Sequence, residues 1–131
     1  MKLVIISLLV LLSVKCHSQD KWINVGYDSD YNIWEVYKSY VTKSKNEIKI
    51  WIKETVMAYT SKEGKLYLKP HLLKLIIVDC YNKKYKIIKS VMKDKDEEFI
   101  DEEVAPNSDF IDEIPGGVME QVDKKICELY N

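Results

Sequence analysis

Arginine is absent from this 131-residue chain, so all 20 of its basic side chains are lysine. Without the planar guanidinium fork, bidentate grip on phosphate or carboxylate is unavailable, which weighs against a nucleotide or phosphoryl-transfer site. Glycine is scarce as well: the four residues never fall into Gly-x-Gly-x-x-Gly or P-loop spacing, so cradles of backbone N–H groups for phosphate are not expected. Two histidines and three cysteines leave little for proton shuttles, thiol nucleophiles or zinc. No Gly-x-Ser-x-Gly elbow and no repeat of useful period occur. The lysines are spread along the chain rather than gathered in a stripe, which argues against nucleic acid as a partner.

What is present begins with an address. Lys2 and the mostly apolar run 3–14 have the form of the n- and h-regions of a signal peptide. The run is too short to span a bilayer. Ser18 and Cys16 fit the −1 and −3 positions of a cleavage site, so residues 1–18 read as a leader and 19–131 as one exported domain of about 113 residues. That domain has 18 lysines against 21 acidic residues, a net charge of −3, and no transmembrane span is expected in it. The alternative treats Cys16 as a lipidated cysteine, although Lys15 stands where lipidation wants a small residue.

Either route leaves the body with Cys80 and Cys127, and an oxidising compartment then predicts a disulfide between them. Their separation is unlike the close Cys-x-x-Cys spacing of redox-active pairs, so the expected role is a brace.

The body reads as strands until its last segment. Residues 22–27 and 32–41 are strand-like, and 43–46 read as a polar turn. Residues 47–55 alternate most clearly, with Ile48, Ile50 and Ile52 on one parity and Lys49, Trp51 and Lys53 on the other. Residues 56–59 prolong that strand before a turn at 61–64, and 65–68 start the return strand. The apolar run 72–80 suits a central strand, and 81–84 is a hairpin connection to 85–92. A charged connector, a strand at 99–104 and a short extended stretch follow, down to Pro115. From Val118 the apolar residues Val118, Val122, Ile126 and Leu129 recur at helical spacing, with Met119 widening the stripe and Glu120, Asp123 and Lys124 assigned to the opposite face.

Three constellations invite a functional reading. His71 is the lone histidine of the body, beside Pro70, and reads as structural or solvent-facing. The carboxylates of 94–103 lack the order of a calcium loop and are interrupted by lysine, so they read as a solvated strand and turn. Aromatic residues carry more promise. Trp34, Tyr37, Tyr40, Trp51 and Tyr59 are concentrated in one stretch, and such rings supply large, rigid contact area. With the isoleucine parity packed under the helix, Trp51 would lie outside between Lys49 and Lys53. The candidate ligand face is therefore Trp34, Tyr37, Lys49, Trp51 and Lys53; the bland account is that lysine stems merely cover the rings.

The strand Lys49-Ile50-Trp51-Ile52-Lys53, the run ending Asp79-Cys80, the Lys84-Tyr85-Lys86 strand, and Pro115-Gly116 before a helix to Ile126-Cys127 resemble the surface-adhesin protein E family. The resemblance spans nearly the whole mature chain. It implies a small exported bacterial domain, an antiparallel sheet with a disulfide-fastened C-terminal helix, bound for the cell envelope and contacting extracellular or host-surface macromolecules.

The expectation is thus an α+β domain, an antiparallel sheet of five or six strands with one C-terminal helix. It acts by binding, with no enzymatic activity, cofactor or metal. It is placed in the periplasm, at the outer-membrane surface or in the medium. The alternatives are a periplasmic small-ligand carrier or enzyme, a structural subunit of an envelope assembly, and self-association of the sheet face.

Overall fold

The computed structural model describes residues 21–130; the leader, its cleavage site and Cys16 lie outside that range. The elements in chain order are β1 (Trp22–Tyr27), β2 (Ile33–Tyr37), β3 (Thr42–Ser44), β4 (Glu47–Thr55), β5 (Ala58–Thr60), β6 (Leu66–Leu68), β7 (His71–Asp79), β8 (Lys84–Lys93), β9 (Phe99–Val104), β10 (Ile111–Asp112) and the helix α1 (Val118–Tyr130). The class is as expected, a mostly antiparallel sheet closed by one C-terminal helix.

The sheet is larger than expected, with eight strands, while β5 and β6 form a separate two-stranded ribbon. Its spine is β1-β2-β4-β7-β8, antiparallel throughout. β2 and β3 share one edge of β4, β2 pairing with its C-terminal half and β3 with its N-terminal half. β9 and β10 divide the far edge of β8 in the same way. The additional strands are short ones that a period of two cannot reveal. Residues 43 and 44, read as the start of a polar turn, belong to β3. Residues 58–60 do not prolong β4, because Val56 N–H bonds to the Pro70 carbonyl at 3.2 Å and turns the chain into the ribbon.

The isoleucine alternation of β4 builds the core. Ile48, Ile50 and Ile52 are fully buried with Trp34 and Val36 of β2, Ile76 and Val78 of β7, and Val122 and Ile126 of α1. Each such side chain contributes about 1.5–3 kcal/mol by leaving water. The helix lies on the β1, β2 and β4 part of the sheet.

Its start is set by Pro115-Gly116-Gly117. Gly116 takes the left-handed φ of 76°, and its N–H is capped by the Glu120 carboxylate at 3.1 Å. A Cβ on Gly117 would stand 2.9 Å from the Ile114 carbonyl oxygen. Replacing Gly117 by alanine is therefore expected to lower the unfolding midpoint in urea, since the obstructing atom is backbone and cannot rotate aside.

Cys80 and Cys127 are disulfide-bonded, with Cα atoms 5.9 Å apart across a sequence separation of 47. The strand-to-helix brace is as the cysteine count predicts. Asp79 shapes its strand end: the carboxylate accepts from Tyr81 and Asn82 N–H, both at 3.0 Å, and from Asn82 Nδ2 at 2.8 Å. Those bonds, the Asn82 side chain foremost, hold the Asp79 carboxyl below its ordinary pKa.

Candidate functional site

Alternation along β4 turns Lys49, Trp51 and Lys53 away from α1. The register sets them opposite Ile77, Leu75 and Leu73 of β7. The outer face thus carries a half-buried apolar patch of Trp51, Leu73, Leu75 and Ile77, with Lys49 exposed beside it. At one side Lys53 Nζ pairs with Glu35 at 2.8 Å and stands 4.6 Å above the Trp22 ring. Trp22 in turn lies 4.7 Å from the Tyr37 ring, and Tyr40 stacks on Tyr37 at 6.3 Å. Lys53 is partly the ring cover of the bland account; Lys49 is not so engaged.

Four of the five residues assigned to this face share it: Tyr37, Lys49, Trp51 and Lys53. Trp34 does not. It lies on the inner face, 4% exposed, because β2 alternates and positions three apart in a strand point to opposite sides. Its indole N–H donates to Asp28 Oδ2 at 2.9 Å, and Lys74 Nζ sits 4.7 Å over its ring while pairing with the buried Glu54 at 2.9 Å. Asn32 joins the network through Asp28 and Glu54.

Burial opposes ionisation of Asp28, but its hydrogen bonds from Trp34, Asn32 and Asp30 prevail and hold its pKa below the usual value. Asp28→Ala would strand the buried indole donor and is expected to cost about 1–3 kcal/mol, read from the urea midpoint.

The remaining constellations fall apart in space. His71 Nδ1 lies 2.8 Å from Glu97 Oε1 in the β8–β9 turn, and Asp94 closes that turn by accepting from the Asp96 and Glu98 N–H groups at 2.8 and 2.9 Å. Two small clefts beside β9, of about 170 and 220 Å³, are lined by Asp101 but not by His71. No group of three or more metal-ligating side chains occurs among the described residues. Nor is any helix there long and apolar enough to cross a membrane.

A feature that the sequence reading missed lies beside the disulfide. Asp123, assigned to the exposed face of α1, is 1% exposed. It forms part of the wall of an open cavity of about 840 Å³ that also includes Glu113, Lys83, Lys124 and both bridged cysteines. Burial, and then the Glu113 carboxyl beside it, push the Asp123 pKa up to about 9. The Tyr85 phenol is raised as well, by burial first and then by Asp123 and Glu113.

No family model matches the chain, and neither does any curated protein or solved structure.

Proposed function

We propose that the chain is an exported binding module of the kind its resemblance to surface-adhesin protein E implies, with no catalytic role. The sheet face turned away from α1 contacts an extracellular macromolecule. The observation that carries this reading is the half-buried apolar patch of Trp51, Leu73, Leu75 and Ile77 beside the exposed Lys49. Apolar centres with amphipathic and charged surroundings are the composition of protein interfaces. The disulfide supports export, since such bonds persist in oxidising compartments.

A plate assay of the mature protein on immobilised extracellular matrix tests the reading. Trp51→Ser is expected to weaken capture at least about tenfold, the effect of a typical aromatic anchor. Lys49→Glu, at an exposed position, should weaken it without touching stability. Absence of capture by the unmodified protein would remove the reading. Concentration-dependent sedimentation, abolished by Trp51→Ser, would instead make a second copy the partner of this face.

A further inference from the structure

Asp123 is a buried side chain whose electrostatic surroundings lack a positive partner. Neither of its oxygens receives a hydrogen bond from an N–H or hydroxyl donor. The polar group within hydrogen-bonding reach is the Glu113 carboxyl, which it meets by keeping a proton between the two acids, and burying a carboxylate is costly unless a donor or a cation meets it. Its close neighbour, Glu113, is a second carboxyl. Lys83 and Lys124 belong to the same cavity wall, yet neither forms an ion pair with a carboxylate among the described residues.

The helix places this acid deliberately with respect to the brace: Asp123 and Cys127 are four residues apart and so lie one above the other on α1. Bridging Cys127 to Cys80 sets that flank of the helix against the β7–β8 end of the sheet, and Glu113 arrives there from the segment after β10. Its backbone N–H donates to the Lys83 carbonyl at 3.3 Å, which ties the segment to the β7–β8 turn. The cavity they share is large enough for a small organic molecule.

We propose that this cavity binds a small organic cation bearing N–H donors, a guanidinium or primary ammonium group, which supplies N–H donors to Asp123 and Glu113 in place of the proton held between them. A bare metal ion is a poorer match, because too few ligating side chains converge there. A guanidinium satisfies two carboxyls at once through its fork of donors. The inference is independent of the outer sheet face, which lies on the opposite side of the sheet.

Isothermal titration of the mature protein with agmatine, with tetramethylammonium as a cation lacking N–H donors, tests it. Agmatine is expected to bind and tetramethylammonium not to. Because an ionised Asp123 must be formed, binding should release a proton, and agmatine affinity should rise up to about tenfold per pH unit between pH 6 and 8. Asp123→Asn should abolish binding, and Glu113→Gln, at a half-buried position, should weaken it at least tenfold. Equal affinity for tetramethylammonium, no binding of agmatine, or agmatine affinity unchanged by Glu113→Gln would each overturn the proposal. The last needs only the milder variant, so it holds even where Asp123→Asn fails to fold.

Discussion

Reducing the Cys80–Cys127 bridge, or replacing both cysteines by serine, is expected to lower the stability of the fold by about 4 kcal/mol. The figure is the chain entropy released to the unfolded state when a closed loop of this length is opened, and strain or residual structure makes measured values smaller more often than larger. In a domain of this size that corresponds to a fall in Tm of roughly 15 °C.

The native helix would not be lost outright, because Val122 and Ile126 remain fully buried against β2, β4 and β7 and together hold it by a similar order of energy. A thirteen-residue helix is marginal alone, so those two contacts, with the half-buried Val118, Met119 and Tyr130 beside them, become its anchor. Urea unfolding followed by tryptophan fluorescence, with and without reductant, checks the expectation. A midpoint that moves by less than the equivalent of about 1 kcal/mol would show that the apolar stripe suffices and that the bridge is secondary.

The sequence made the core of this fold legible because Ile48, Ile50 and Ile52 are fully buried while Lys49 is exposed and Trp51 and Lys53 only half-buried. A strand with one dry face can satisfy only one register. The three-residue strands β3 and β5 carry no comparable signal, whereas β6 lies in the return segment read at 65–68 and β10 in the extended stretch before Pro115. All four exist through ladder bonds to longer neighbours or to each other, a tertiary property that no local period records.

Trp34 was grouped with Tyr37 by proximity in the chain. Strand parity separates them, and the Asp28, Glu54 and Lys74 partners that justify its burial come from three other segments. Asp123 was hidden for a different reason. Val118, Val122, Ile126 and Leu129 define a stripe, but Leu129 is 41% exposed and Tyr130 packs on the core instead. At about 100° per residue, Met119, Ile126 and Tyr130 lie between Val122 and Asp123 on the helix wheel. The bridge at Cys127 rolls the helix toward that side, which carries Asp123 inward and lifts Leu129 out.

That inward roll has a measurable consequence in the dependence of stability on pH. Asp123 has a folded-state pKa raised to about 9 from an ordinary value of 3.8, so between those limits the folded chain holds a proton that the unfolded chain has released. Stability then falls as pH rises, by about 1.4 kcal/mol per unit for one proton.

Asp123→Asn removes the titrating group while keeping its shape and a donor for Glu113. Between pH 5 and pH 8 the variant is expected to gain on the unmodified protein by roughly 4 kcal/mol. The charged and titratable groups around this acid are Glu113 and Tyr85, with Lys83, Asp112, Glu120, Lys124 and Glu128 on the same cavity wall, none of which the substitution alters. Asp28 and Asp79, whose pKa values are lowered, have the opposite sign. Their contribution is present above their unfolded values and is lost as pH falls through the lowered folded ones, below the range compared.

Urea midpoints at pH 5, 6.5 and 8 for both proteins supply the difference curve. A flat curve would mean that Asp123 is ionised in the folded state, which requires a positive partner or solvent at its carboxylate. A difference that grows with pH identifies the acid as a group held neutral by its surroundings, ready to exchange its proton for an N–H donor.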